Sequence, residues 1–384
     1  MLDFASALYL GMRHASCSLR PWQQISAGVP AAFDPPEDAG NLAARIADLQ
    51  GCEAASIGTS TLHLVLDLFR INRGSRSAIY LDEGTYPILG WGVERAAANG
   101  VPVRSFHHHD VEALQLELRR TLQRGQRPLV VTDGLCPSCG RVAPLREYLE
   151  FAEGYGGGLV IDDTQALGIL GYDPDARAPY GRGGGGSLRM LGLSSPHLVR
   201  VCSMAKGFGV PAAVLSGSKQ VVERFEAGSE VRVHCSPPSV AVLRAAEHAL
   251  DLNRQCGEHL RSRLAALVNR FRDALRKAGL TADGGLFPVQ TISTLSGPQA
   301  LAVHQHLSRQ KIRAVLHRDR KRARMRLSFL INASHRPEEI DRAVNILSEG
   351  IGRTNEERRE GSVPIRGARL EVNHGQQLRT GNQR

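Results

Sequence analysis

Apolar residues along this chain alternate between two periods. In residues 41–50 (NLAARIADLQ) they recur at helical spacing, and residues 62–69 repeat the signature after the turn Gly58-Thr59-Ser60-Thr61. From there, short apolar runs and helical patterns take turns. Strands are predicted over 78–81, 101–106, 128–132, 158–162, 198–202 and 212–216, and helices over 88–99, 111–123 and 146–153. Strand–helix alternation with short apolar strands predicts an α/β protein built on a mainly parallel, doubly wound sheet.

The pattern breaks in four places. Residues 1–40 carry Trp22, several prolines and little periodicity, and read as an irregular arm. Residues 171–197 are rich in glycine and proline and read as a mobile loop or insertion. The four glycines at 183–186 could cradle a phosphate, but no clean helix start follows them. Pro237-Pro238 opens a long helical stretch, about 239–279, that leads to a smaller α/β region over about 280–350. Residues 353–384 are polar and charged and read as a disordered tail. The expected organisation is an arm (1–40), a large domain (41–240), a linker helix with a small domain (241–352) and the tail (353–384).

Composition narrows the function classes. A chain of 384 residues with 42% hydrophobic content can bury two cores. It has no apolar run of about 18 residues, so no membrane partner is expected. The N-terminal stretch has no basic segment ahead of an apolar one, so no signal peptide is read. Seven cysteines at scattered positions argue against a disulfide framework and for a reducing cytoplasm. Net charge is +10, much of it local to residues 317–326 and the tail. No aromatic-interleaved basic motif accompanies it, so nucleic acid is not an expected partner and phosphate-bearing small molecules are. Two clusters have metal-ligand composition, Cys136-Pro-Ser-Cys139 and His107-His108-His109-Asp110. The first lacks further ligands at matching spacing and the second reads as a solvent-facing loop, so no metal is expected.

Three features carry chemistry together. Lys206 lies just past a predicted strand, among small residues, in Ser203-Met-Ala-Lys206-Gly-Phe-Gly. Asp162 ends a strand, and strand carboxyl ends are where open α/β sheets bind ligands. Thr59 and Ser60 precede a helix, whose N-terminus with its hydroxyls makes an anion site. Pyridoxal phosphate needs these three things: an amine for its aldehyde, a carboxylate for its ring nitrogen, and N–H and O–H donors for its phosphate.

The same segments resemble the α-oxoamine synthases, a group of pyridoxal-phosphate enzymes with the aspartate-aminotransferase fold. VIDDTQALGILG is similar to their D-[DE]-A-H-x-x-G-x-x-G motif and SMAKGFGVPAAVLSGS to their lysine motif. HCSPPSVAVLRAAEHAL and RLSFLINASHRPEEIDRAVNIL resemble two later segments, so the likeness spans about 40–350, in order. It implies a large domain with a mostly parallel sheet plus a smaller C-terminal α/β domain. It also implies Lys206 as the Schiff-base lysine and proton carrier, with Asp162, rather than Asp163, on the pyridine nitrogen. Thr59, Ser60 and Ser203 fall to the phosphate, and Arg326 to the substrate carboxylate through a bidentate pair. His234 and Ser236 are candidates for a partner subunit's phosphate, since the group implies a homodimer.

The chain also departs from the synthase pattern. Residues 317–326 lack the prolines many synthases carry before the C-terminal arginine, and the lysine–aspartate gap is longer by about a dozen residues. Two further departures bear on the cofactor ring. Tyr86 stands where the synthases place a histidine over the cofactor ring, and an aromatic residue there still stacks. Gln165 replaces the histidine of D-x-A-H and can hydrogen-bond to the cofactor but not titrate. The leading expectation is a transferase that condenses an amino acid with acyl-CoA. An aminotransferase on the same fold is the alternative, and a degenerate binding protein a third reading.

Overall fold

The structure, a computed structural model, describes residues 1–33, 38–71, 76–318 and 325–359. After a short strand β1 (Leu2–Asp3), helix α1 (Ala39–Gln50) leads into β2 (Ala54–Gly58). Helices and strands then alternate: α2 (Thr61–Ile71), β3 (Ser77–Asp82), α3 (Pro87–Ala98), β4 (Val103–Phe106), α4 (Val111–Thr121), β5 (Arg127–Asp133), α5 (Leu145–Gly154) and β6 (Gly158–Asp162). A short α6 (Ser187–Leu191) precedes β7 (Leu198–Ser203) and β8 (Ala213–Gly217).

These strands form one seven-stranded sheet in the order β2-β8-β7-β6-β5-β3-β4. Strands β4, β3, β5, β6 and β7 run parallel, and β8 is antiparallel to both β7 and β2. Both faces are covered, which is why the strands read as unbroken apolar runs. On one face, Leu64, Leu68 and Val93 of α2 and α3 pack on Val131, Val160 and Val201. On the other, Leu114 and Tyr148 of α4 and α5 pack on Val130, Leu159 and Ile161. The mainly parallel sheet expected from the alternation is present. Strand β2 escaped it because AASIG carries small residues that give neither a strand-like nor a helical stripe.

After α7 (Lys219–Gly228) and α8 (Glu230–His234) comes α9 (Val240–Lys277), 38 residues long and capped by the Ser239 hydroxyl on the Val242 N–H. The chain continues through β9 (Ala282–Asp283), β10 (Val289–Ile292), α10 (Gly297–Arg309), β11 (Ile312–Arg313), β12 (Val315–Arg318), β13 (Met325–Leu330) and α11 (Pro337–Arg359). Strands β12-β13-β10-β9 make a four-stranded antiparallel sheet.

Three segments differ from the sequence expectation. The arm is built in: Leu2 and Asp3 pair in parallel with Ile312 and Arg313, and Phe4, Tyr9, Leu10 and Met12 are buried in the core around α9. The glycine-rich stretch is not loose. Leu167–Gly185 and Tyr172–Arg182 bridges fold it back on itself, and a Cβ on Gly186 would meet Asp163 Oδ2 at 2.1 Å. Its glycines serve close packing rather than mobility. The tail expected from 353 begins as helix, since α11 runs to Arg359, and residues 360–384 lie outside those described.

Candidate active site

The parallel strands end with Asp82, Asp133, Asp162 and Ser203 along one edge of the sheet. Register places Asp133 opposite Asp162, so two buried carboxylates stand side by side. Beyond them lies a cavity of about 170 Å³ lined by Thr61, Tyr86, Asp133, Asp162, Thr164, Gln165, Ser203 and Lys206, with Ile88 and Pro137. A larger groove of about 620 Å³ lies elsewhere, between Arg76, Arg119, Arg127 and Tyr155. That groove is wide open and sits at the amino end of β5, opposite the end where such sheets bind ligands.

Lys206 is held by a glycine contact. Gly207 packs on the 162–171 segment so closely that a Cβ there would meet the Leu167 carbonyl oxygen at 2.3 Å. The lysine turn and the aspartate turn thus lock together, although forty-odd residues separate them in sequence. The Lys206 ammonium lies 5.7 Å from the Tyr86 ring centroid, within cation–π range. Burial pushes the Lys206 pKa down, while Asp162 and Asp133 oppose that shift. Burial pushes Asp162 up, against hydrogen bonds from Thr164 and the charge of Lys206. Asp133 is driven well above the carboxylate range by burial and then by Asp162. An amine that loses its proton easily beside a buried carboxylate is equipped to attack a carbonyl and to move a proton.

The two neighbouring aspartates part company. Asp162 faces the cavity and accepts the Thr164 N–H at 2.9 Å. Asp163 points the other way, accepting from the Ser187 N–H at 2.9 Å and the Ser187 hydroxyl at 2.6 Å, with Arg200 Nε 3.6 Å away. Asp163 and Arg200 are both fully buried, so this pair holds the strand ends together.

Gln165 reaches the cavity, and its Oε1 accepts from the Tyr9 hydroxyl at 2.7 Å. That bond commits the amide oxygen and leaves the NH2 as the side chain's donor. Tyr86, 43% exposed, walls the cavity, and its backbone N–H is held by both oxygens of Asp133 at 3.1 and 3.0 Å. Ser60 caps α2 by accepting the His63 N–H at 3.3 Å, and Thr59 and Ser60 both contact His63 Nδ1. Thr61, the first residue of α2, lines the Lys206 cavity. Thr59 instead faces a narrow adjoining space with Ser236 and Pro237. His234 ends α8 and is not among the residues lining either space. Arg326, on β13, lies outside the cavity lining and is ion-paired to Asp283.

Asp133, Thr164 and Tyr9 belong to the site without having stood out in the sequence. Asp133 ends an apolar strand as Asp162 does, so the same strand-end signal could have found it. Thr164, whose hydroxyl accepts the Ser203 N–H at 2.9 Å, follows directly on the paired aspartates. Tyr9 gave no signal, because it lies in an arm without periodicity.

The aminotransferase class I and II family model matches residues 36–347. An 8-amino-7-oxononanoate synthase from Alkalilimnicola ehrlichii is 27% identical over 313 residues, covering 80% of this chain and 75% of its own. A serine palmitoyltransferase from S. paucimobilis superposes with a TM-score of 0.79 at 18% identity, over 92% of this chain and 87% of the other. An 8-amino-7-oxononanoate synthase from Francisella tularensis gives a TM-score of 0.69 at 17% identity, over 92% and 98%. The two structures share the aspartate-aminotransferase-like fold of this chain. The chain belongs to the aminotransferase class I and II family and is a pyridoxal-phosphate-dependent transferase.

Proposed function

We propose that the chain joins the acyl group of an acyl-CoA thioester to an amino acid, in the manner of the α-oxoamine synthases. The observation that carries this reading is the meeting of Lys206 with buried Asp162 in one cavity walled by the Tyr86 ring. The choice of condensation over amino transfer is supported by relatives named 8-amino-7-oxononanoate synthase.

The donor set suits the cofactor. A buried carboxylate with no guanidinium partner among the described ion pairs faces the same space as the lysine. Bound pyridoxal phosphate would supply an aldehyde for amines and a protonated ring that takes up the electron pair left when a bond at the amino acid's α-carbon breaks. Asp162 would hold the proton on the ring nitrogen, and Thr164 keeps that carboxylate in place. The Tyr86 ring would cover one face of the cofactor, with Asp133 fixing the Tyr86 backbone. Gln165, its oxygen committed to Tyr9, would donate its NH2 to the cofactor's phenolic oxygen. Ser203, Thr59, Ser60 and the first N–H groups of α2 would hold the phosphate. Lys206 would carry the proton to and from the substrate α-carbon. Arg326 would bind the substrate carboxylate by exchanging Asp283 for it, like charge for like charge.

We further infer a cytoplasmic homodimer. The seven cysteines are all unpaired, which suits a reducing compartment. Trp91, on the helix that follows Tyr86, is 50% exposed and offers aromatic surface that a second copy would cover.

The test loads the purified protein with pyridoxal phosphate and supplies single amino acids with acyl-CoA. Release of free CoA thiol that requires the amino acid supports condensation. Amino transfer to a keto acid without any thiol release would replace this reading with the aminotransferase one.

A further inference from the structure

Beside the cofactor cavity, the fold brings together two clusters that are distant in sequence. Residues His108 and His109 follow β4, and Cys136 and Cys139 follow β5. A ring nitrogen of each histidine and the Cys139 sulfur all lie within 4.8 Å of one another. His108 Nε2 is 3.5 Å from Cys139 Sγ. A tetrahedral zinc with Zn–S of about 2.3 Å and Zn–N of about 2.05 Å would hold such atoms roughly 3.6 Å apart. His109 Nε2 is buried and has no hydrogen-bond partner, and the His109 backbone is held at φ 57°. We propose that His108, His109 and Cys139, completed by Cys136, form a tetrahedral site for a zinc-class divalent cation.

The surroundings are built for those ligands. His108 Nδ1 is 2.7 Å from Asp82 Oδ1, which leaves Nε2 to face Cys139. A carboxylate behind a ligating imidazole fixes its tautomer and raises its basicity. The other oxygen of Asp82 accepts the His109 N–H at 3.1 Å and so positions the second imidazole. Gly84 lets the His108 ring approach, since a Cβ there would meet Nδ1 at 2.1 Å. The turn Cys136-Pro-Ser-Cys139-Gly140 is a tight knuckle closed by the Leu135–Val142 bridge and by the Gly140 N–H on the Cys136 carbonyl at 2.9 Å. The Ser138 N–H donates to Cys136 Sγ at 3.4 Å, a bond that favours thiolate over thiol. Cys136 sits three residues before Cys139 on the same closed turn, outside the three-atom cluster, and would swing its sulfur in to complete the set. Binding would release the thiol protons to solvent and leave both imidazoles neutral.

The site would clamp the ends of β3, β4 and β5 where Pro137, Asp133 and Tyr86 wall the cavity. It takes no part in the reaction and does not depend on which reaction the Lys206 cavity performs. Neither cluster alone shows it, because CxxC needs two further ligands and the histidines lie a strand and a helix away.

The experiment measures zinc in the holoenzyme purified without chelators, and then titrates the zinc-stripped holoenzyme with cobalt(II). One zinc per chain and tetrahedral d–d bands at red wavelengths, where the cofactor does not absorb, are expected. Cys139→Ser and Cys136→Ser should each remove the thiolate-to-cobalt intensity or weaken it. Asp82→Asn should weaken cobalt affinity by about 10–100-fold while leaving the band shape. Lys206→Ala should leave the bands unchanged, which separates the site from the cofactor. Absence of zinc and of tetrahedral cobalt bands would overturn the proposal. Bands indifferent to Cys139→Ser would also overturn it. A mass lower by two hydrogens, from a Cys136–Cys139 disulfide formed under non-reducing purification, would replace it with a redox pair.

Discussion

Asp162 and Asp163 are adjacent and both buried, yet face opposite ways, so paired asparagine substitutions test the site directly. In Asp163→Asn the amide oxygen can still accept the Ser187 N–H, and the NH2 can donate to the Ser187 hydroxyl. What disappears is the charge. Arg200 is 1% exposed, its Nε has no hydrogen-bond partner, and its other contacts are the Gln50 and Gly185 carbonyls. Leaving that guanidinium uncompensated costs about 3–5 kcal/mol. With a urea slope of about 3 kcal/mol per molar, the unfolding midpoint should fall by roughly 1–1.7 M.

Asp162→Asn should behave in the opposite way. The amide oxygen keeps the Thr164 N–H bond, and burial already disfavours the charged carboxylate. Stability should stay within about 1 kcal/mol of the parent. Turnover should fall by about 10²–10³-fold, the usual cost of removing one preorganised electrostatic contact from a reacting centre. The assay is urea unfolding of the holoenzyme followed by far-ultraviolet circular dichroism, alongside amino-acid-dependent CoA release. An Asp163→Asn midpoint within about 0.2 M of the parent, or about 0.5 kcal/mol, would refute the buried-pair argument. Full turnover in Asp162→Asn would refute the cofactor assignment.

Lys206→Ala should abolish turnover and borohydride trapping of the cofactor, with a circular dichroism spectrum like the parent's. Tyr9→Phe removes the hydroxyl that holds Gln165, so stability should drop by about 0.5–1.5 kcal/mol and kcat should fall more than KM rises. Arg326→Ala should raise KM for the amino acid, while Asp283→Ala, which removes the carboxylate that the substrate would replace, should not. His335 is buried, stacks on Phe4, accepts the Asn332 N–H and has its pKa lowered from 6.5 by burial. The folded state therefore takes up this proton less readily than the unfolded chain, so the contribution is full above pH 6.5 and is lost as pH falls through the lowered folded value. His335→Asn should flatten the stability–pH profile below 6.5, which acid titrations followed by circular dichroism can read.

Much of the large sheet was legible because its strands are buried on both faces and its helices on one. Those conditions write two distinct periods into the sequence, and residues 158–162 were placed to the residue. Lys206 and Asp162 were legible for a different reason. Both sit where a strand stops, and strand ends of a parallel sheet converge on one edge whatever the loops between them do. What stayed hidden was whatever depends on contact between segments without periodicity. The glycine-rich stretch has the composition of a loop, yet Gly186 is there because Asp163 Oδ2 occupies the place of a Cβ. A sequence shows the glycine and not the neighbour that requires it.

The N-terminal arm shows how this limit bears on chemistry. Gln165 taken alone is a replacement for a titrating histidine that can hydrogen-bond but not titrate. In the fold, Tyr9 comes from a segment more than 150 residues earlier and commits the Gln165 oxygen to its own hydroxyl. A histidine has one acceptor nitrogen in its neutral form and would lose it in the same way, keeping an N–H to donate just as the glutamine amide keeps its NH2. The substitution therefore preserves a donor at that point and removes only a titration. Tyr9 itself is buried among Phe287 and the core around α9, and burial raises its pKa, so its proton stays on the hydroxyl. This departure from the synthase pattern thus becomes a conservative change in hydrogen bonding once the arm is in place. Condensation and amino transfer are then separated by what reaches the cavity from outside, not by Gln165.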